Sequence, residues 1–329
     1  MILDVESGAI HSVDKAAYDV ICEIGKGNDP YKLHYDAAEI QQIISELAEL
    51  ENAGALNADE PSIVQDTERH IIKSLCLHVA HDCNLRCAYC FAGTGEFCGE
   101  RMMMSPEVGR KALDFLMERS GSRYNLEVDF FGGEPLMNFD VLRQTVSYAK
   151  EQAQKAGKIF KFTCTTNGLL LDREKSDYLN EEMDNVVLSL DGRREVNDFA
   201  RPCPNGRGSF DLIVDNFRYF RSIRGNKSYF LRGTFTHFNT DFAKDVLFMR
   251  ELGFEQLSVE PAVLPRGSEM EIKDSDLPEI FGQYEELAKQ YVKLRKKPET
   301  WFSFFHFNID LENGPCLKKR LKGCGAGCE

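Results

Sequence analysis

No stretch of this 329-residue chain is apolar for long enough to cross a bilayer. The first thirty residues have no basic start and no apolar core segment, and they carry Asp4, Glu6, Asp14 and Asp19. No targeting segment is therefore expected. Arginine is missing from residues 1–60, where three lysines stand against thirteen acidic residues. That balance of −10 leaves only −3 of the net −13 for the rest of the chain. So acidic a segment repels phosphate backbones, which argues against nucleic acid as a partner. Internal repeats and low-complexity tracts are lacking as well. The expectation is a cytoplasmic protein with no membrane and no nucleic-acid partner.

What is present points elsewhere. Hydrophobic residues make up 43% and charged residues 28%, enough for a large core in one main domain with small appendages. Eleven cysteines are many for a reducing compartment, where clustered cysteines are metal ligands or reactive thiols rather than disulfides. One group is Cys83, Cys87, Cys90 and Cys98; another is Cys316, Cys324 and Cys328. Cys22, Cys76, Cys164 and Cys203 stand alone and are read as small buried hydrophobes.

Residues 1–60 read as a small α/β unit with a winged-helix-like pattern. A short strand and turn precede a helix that Asp14 can cap. A second helix starts at Asp36 with Glu39 at capping-box spacing, carries Ile40, Ile43, Ile44, Leu47 and Leu50 at a helical period, and ends at Gly54. Residues 61–73 read as a polar linker. Strands are then predicted at Leu75–Ala80, Leu126–Phe131, Ile159–Thr166, Val186–Leu190, Tyr229–Thr236 and Gln256–Glu260. Helices begin between them near Pro106, Phe139, Arg173, Ser209 and Asp241. Six strands with helical crossovers form a parallel sheet, open or partly closed into a barrel, with its chemistry at the C-terminal strand ends. Residues 276–297 form a further helix, followed by an aromatic run from Trp301 to Phe307.

Two motifs lie at such strand ends. Cys83, Cys87 and Cys90 have C-x3-C-x2-C spacing directly after the first core strand. Three thiolates can each bind one iron of a four-iron cluster and leave the fourth iron open for chemistry. The alternative is a structural zinc, which normally takes four protein ligands, and no fourth lies at finger-like spacing. Phe131-Gly132-Gly133-Glu134-Pro135 ends the second strand: two glycines let backbone approach a ligand, and Glu134 offers an acceptor for an ammonium. Thr165, Thr166, Asn167 and Gly168 end the third strand, and Ser189, Asp191 and Gly192 the fourth, suiting ribose and carboxylate recognition or simple turns.

With Tyr89 as its aromatic, the cysteine loop resembles the signature of radical S-adenosylmethionine (SAM) enzymes, over roughly residues 74–270. The resemblance implies a partial (β/α)6 TIM-like barrel, a 4Fe-4S cluster on Cys83, Cys87 and Cys90, and SAM bound at the open iron. Reductive cleavage of SAM would give a 5′-deoxyadenosyl radical that abstracts hydrogen. Gly132, Gly133 and Glu134 match the motif that contacts the SAM amino group. Tyr89, Thr166, Asn167 and Ser189 are further implied contacts. Arg201 is the candidate for the SAM carboxylate, in competition with Arg193, Arg194 and Arg207; Glu260-Pro261 matches the adenine side of the pocket.

The glycine-rich stretch holding Cys316, Cys324 and Cys328 resembles the opening of a SPASM domain, the extension that carries auxiliary 4Fe-4S clusters. Its spacer is shorter than the family pattern, and the chain reads as a fragment ending inside that domain. Residues 271–329 are thus read as a bridging helix and the start of an auxiliary-cluster region. Phe91-Ala92-Gly93-Thr94-Gly95, Arg101 to Ser105 and Phe305-His306-Phe307 resemble the maturases of six-cysteine peptides, which form Cys thioether crosslinks. Residues 1–60 resemble their leader-binding module, here missing its first strand. The implied partners are a Cys-rich precursor peptide with a leader and an electron donor such as flavodoxin or ferredoxin. Cys98 is a candidate thiol beside the active-site loop. Competing readings are an anaerobic sulfatase-maturating enzyme, a winged-helix DNA-binding regulator with a structural metal, and a plain iron–sulfur electron carrier.

Overall fold

The computed structural model describes residues 1–4, 9–57 and 71–308. The chain divides into a small unit within Met1–Arg69 and a larger one, His70–Asn308. In the small unit β1 (Ile2–Leu3) pairs antiparallel with β2 (Ile10–His11). Helix α1 (Lys15–Gly25) is capped by Asp14 and α2 (Ala37–Asn52) by Asp36, each side chain accepting a backbone N–H of the first turn. Ala53 and then Gly54, with φ +69°, end α2 as its sequence predicts. The apolar stripes meet in a core of Ala16, Val20, Ile40 and Ile43, with Ile44 and Leu47 beside it.

The larger unit alternates strand and helix. Its elements are β3 (Ser74–Ala80), α3 (Pro106–Arg119), β4 (Asn125–Gly132), α4 (Phe139–Ala156) and β5 (Ile159–Thr166). Then come α5 (Arg173–Glu182), β6 (Asn185–Ser189), α6 (Arg194–Ala200), α7 (Phe210–Arg224) and β7 (Ser228–Phe235). The last are α8 (Ala243–Glu251), β8 (Gln256–Pro261), α9 (Leu277–Leu294) and β9 (Ser303–Phe304). The strands lie in sequence order in one seven-stranded sheet, every pair parallel.

The six predicted strands are present within a residue or so, but the sheet has a seventh. The aromatic run supplies it: Phe302 and Phe304 are wholly buried, and β9 pairs with β8. Residues 271–308 therefore pack as part of the core, with Ile280, Leu287 and Tyr291 of α9 in the same cluster. Sequence reading also missed α6, which is only seven residues long. Ser209 does not cap α7. Its hydroxyl turns inward to Arg201 O, and Asp198 of α6 caps Phe210 N instead.

On β4 to β7 the buried residues share one parity. Val128 and Phe130, Phe160 and Phe162, Val186 and Leu188, Tyr229 and Leu231 all face the helix layer. Each such side chain contributes about 1.5–3 kcal/mol by leaving water. The opposite face is polar or half-exposed, against the usual pattern of parallel sheets buried on both sides. Cys76, expected to be buried, lies on that face and is exposed; Cys164 is buried, and Cys22 and Cys203 are half-buried.

Candidate active site

The cysteine loop, Gly132 to Glu134, Thr166-Asn167 and Ser189 to Asp191 lie at the C-terminal ends of β3 to β6, and Glu260-Pro261 ends β8. The cysteine loop leaves β3 with Cys83 N donating to Asp82 Oδ1 at 2.8 Å. Arg86 curls back to donate to Cys83 O at 2.6 Å and Leu85 O at 2.7 Å, so its guanidinium holds the loop's own carbonyls. Two backbone bonds fasten the loop to the segment after α6, Arg86 N to Pro202 O at 2.8 Å and Ala88 N to Ala200 O at 2.9 Å.

Its other side rests on the glycine pair. Gly133 N donates to Ala80 O at 2.8 Å and Glu134 N to Asp82 O at 2.9 Å. A Cβ on Gly132 would lie 2.4 Å from Ala80 O, and one on Gly133 2.1 Å from Asp82 O. The sequence reading gave this closeness to a ligand; the structure gives it to the cysteine loop. Glu134 differs from expectation in the same way. Its carboxylate is 1% exposed and accepts from Thr166 Oγ1 (2.8 Å), Asn167 N (2.8 Å) and Leu136 N (3.0 Å). Burial raises the Glu134 carboxyl above its ordinary value, and those donors offset part of the rise. Thr166 and Asn167 thus act first on Glu134. Asn167 then reaches the loop itself, donating to Asn84 Oδ1 at 2.8 Å with Cys83 Sγ 3.6 Å away.

A second knot joins the loop to β6. The Tyr89 hydroxyl donates to Asp191, at 2.7 and 2.9 Å from its two oxygens, and accepts from Arg201 at 2.6 Å. Arg201 and Asp191 are 3.5 Å apart. Asp191 is fully buried and also accepts from Thr234 N at 2.9 Å. Of the four competing arginines only Arg201 enters the site. Arg193 is held by Asp241 and Asp245, Arg194 pairs with Asp211, and Arg207 is exposed. Arg201 Nε is buried with no acceptor. An unpaired donor on a buried guanidinium fits the carboxylate of an absent ligand.

The thiols also fit a metal cluster. Burial pushes Cys87 up to about 12 and raises Cys83 as well, so these thiols stay protonated until iron replaces the proton. Among the described residues no three Cys, His, Asp or Glu side chains surround a single ion site. A four-iron cluster asks for something different, one thiolate per iron, with its ligands spread apart.

Sequence reasoning left two site residues without a role, Asn84 and Arg232, and it placed Asp191 in ligand recognition where the structure makes it an acceptor for Tyr89. Ser189 is half-buried and pairs in register with Arg232, which pairs in turn with Ser258. Arg232 is exposed on the polar sheet face, and a charge within an otherwise apolar strand was its sequence signal. Cys98 is exposed on a turn where both Phe97 (φ +52°) and Cys98 (φ +60°) are left-handed, a strain of about 1–2 kcal/mol per residue. Glu260 accepts from His306 at 2.8 Å and from Ser258 at 2.5 Å, which holds it at about 2. Cys316, Cys324 and Cys328 lie outside the described residues.

Known proteins agree with this arrangement. Residues 77–246 match the radical SAM superfamily. The radical SAM cyclopropyl synthase TigE of Paramaledivibacter caminithermalis is 25% identical over 268 residues, covering 71% of this chain and 54% of that protein. The cysteine-type anaerobic sulfatase-maturating enzyme of Clostridium novyi is 30% identical over 141 residues, covering 42% of this chain and 37% of that one. This chain thus spans about half the length of its relatives, or less. Among solved structures, native anSMEcpe with bound AdoMet superposes with TM-score 0.61 at 19% identity, covering 71% of this chain and 64% of that one. Streptococcus suis SuiB bound to S-adenosylmethionine gives 0.52 at 18%, covering 89% and 66%. Both likenesses establish the partial-barrel fold. With more than half of its residues inside the matched domain, and with its cysteine loop seated where that fold does its chemistry, the chain belongs to the radical SAM superfamily, enzymes that work with a 4Fe-4S cluster and SAM.

Proposed function

We propose that this chain is the catalytic part of a peptide-modifying radical SAM enzyme, and that the modification is a thioether bond from a cysteine of a ribosomal precursor peptide. The observation that carries the reading is the reach of the TigE likeness, 268 residues, beyond the superfamily core at 77–246. A structure of anSMEcpe with AdoMet and a Cys-containing peptide, sharing this fold, lends support. The polar sheet face with Arg232 and the Ser258–Glu260–His306 group suits a peptide better than an apolar substrate.

SAM bound at the cluster would supply radical chemistry for hydrogen abstraction from the substrate. Cys83, Cys87 and Cys90 hold the cluster. Gly132, Gly133 and Glu134, with Thr166 and Asn167, shape the wall against which SAM lies, and Ser189 lines it on the β6 side. Arg201 takes the SAM carboxylate through its unpaired Nε, while Tyr89 and Asp191 keep the guanidinium turned inward. Cys316, Cys324 and Cys328 are the residues that would hold an auxiliary cluster, which would serve as the electron acceptor for thioether formation. Residues 1–60 bind the leader, and flavodoxin or ferredoxin supplies the first electron, in the cytoplasm. Conversion of a cysteine to formylglycine is the second reading, favoured by the sulfatase-maturating relative at 30% identity.

The test is anaerobic. The reconstituted protein, given dithionite, SAM and a cysteine-containing precursor peptide, yields 5′-deoxyadenosine and a peptide lighter by two hydrogens. A C83A/C87A/C90A variant yields neither. Replacement of the thiol by an aldehyde selects the second reading. Deoxyadenosine without change in any cysteine peptide overturns the peptide assignment.

A further inference from the structure

The turn that follows β6 carries Asp191, and Asp191 holds the tyrosine of the cysteine loop. Besides Thr234, residues of α8 and of the segment before it hold that turn. Gly192 has φ +125°, and a Cβ there would lie 2.3 Å from Asp245 Cβ. The next residue, Arg193, donates its backbone N–H to Asp245 Oδ1 at 3.0 Å and its Nε to the same oxygen at 2.8 Å. Its terminal nitrogens reach Asp241 at 2.7 and 3.1 Å, and one also meets Asp245 Oδ2 at 3.3 Å. Asn239 donates to Asp245 Oδ2 at 3.4 Å. The Asp245 side chain is wholly buried, and Arg193 is 22% exposed.

A carboxylate buried this deeply is costly to keep, and it persists because one arginine returns three hydrogen bonds to it. Those bonds fix both the backbone and the side chain of the residue two places after Asp191. From there the linkage is continuous. Asp191 accepts from Tyr89, Tyr89 accepts from Arg201, and Tyr89 lies between Cys87 and Cys90. The side-chain hydrogen bonds of Asp245 and Arg193 run to each other, to Asp241 and to Asn239, and none goes to a cysteine. Their effect on the cofactors passes through Asp191.

We infer that Asp245, clamped to Arg193, is a positioning residue for the cofactor loop, fixing the Asp191 turn so that Tyr89 and Arg201 stand ready for SAM. Groups that orient the residues around a metal centre typically change metal affinity or activity by about 10- to 100-fold when removed, and an effect of that order is expected here.

The test compares reconstituted wild type with Asp245→Asn, Arg193→Lys, Tyr89→Phe and the Arg193→Lys/Tyr89→Phe double variant. Iron content and melting temperature report folding and loading. The SAM dissociation constant comes from the SAM-induced change in the EPR signal of the reduced cluster. Arg193→Lys keeps the charge but not the fork. It is expected to load full iron and melt near wild type, yet to bind SAM about tenfold more weakly with an altered EPR line shape. The double variant is expected to be no weaker than the weaker single variant, because both act on one path. SAM affinity within about twofold of wild type in Arg193→Lys at full iron loading overturns the inference, and so do effects that simply multiply in the double variant. If Asp245→Asn fails to fold, Arg193→Lys still decides.

Discussion

At the residue scale, the site depends on side chains that serve other side chains. Glu134 is the plainest case: three donors converge on a carboxylate that solvent does not reach. Glu134→Gln replaces one acceptor oxygen with a donor facing donors. A loss of roughly 1–3 kcal/mol is expected, read as a lower midpoint in urea with unchanged slope. Gly133→Ala forces a methyl against Asp82 O, and the variant should lose iron on reconstitution even where it folds. Glu260 gives a pH signature. Its ordinary value is 4.5 and the folded value about 2, because His306 and Ser258 donate to it. A depressed carboxyl stabilises the fold above pH 4.5, and that stability is lost as pH falls from there toward 2. The contribution at neutral pH is on the order of 2 kcal/mol, discounted for partial exposure. Unfolding of wild type and Glu260→Gln should therefore differ at pH 7 and converge as pH approaches 2.

At the element scale, the strands explain why the motifs meet. Parallel pairing in sequence order sets the C-terminal ends of β3, β4, β5 and β6 side by side, about 4.8 Å apart per strand. Each loop can then reach its neighbour: Gly133 to Ala80, Glu134 to Thr166, Asp191 to Thr234. Strand existence was legible from apolar runs between turn signals, and helix starts from Asp14, Asp36 and the Ser105-Pro106 pair, where Ser105 caps Val108 at 3.4 Å. Two elements were not legible. Helix α6 is too short for a periodic signal, and β9 is two residues hidden in an aromatic run. Sequence alone places the run in the bridging region that follows the six strands, although Phe304 is fully buried. Phe304→Ala should cost about 3–5 kcal/mol and lower the melting temperature sharply, which a peripheral residue would not do.

At the scale of the whole molecule, the site is held by protein contacts on every side. The cysteine loop is tied to β4 by backbone bonds, to the end of α6 by two more, and to β6 through Tyr89. A small metal-dependent domain unfolds when its metal leaves. Here the sheet and its helix layer bury their core without help from the cluster. Protein stripped of iron by chelation and reduction should keep its far-ultraviolet circular dichroism and still melt cooperatively. Loss of secondary structure on stripping would show instead that the fold depends on the cluster.

The sequence alone determined the strand order of operations: an apolar strand, then three cysteines, then a strand ending in Gly-Gly-Glu. Local patterns suffice for that, because alternation, capping and cysteine spacing are written in neighbouring residues. Through the family resemblance it also put forward Tyr89 and, in competition with three other arginines, Arg201. Only the tertiary structure decided what these residues do to one another. Asp191 becomes the partner of Tyr89 across 102 positions, and Glu134 the partner of Asn167 across 33. The glycines turn out to make room for backbone, and Arg193 leaves the pocket for Asp245. A buried carboxylate must find its donors wherever the fold brings them, and that choice is made by parallel strands stacking their ends, which no local spacing records.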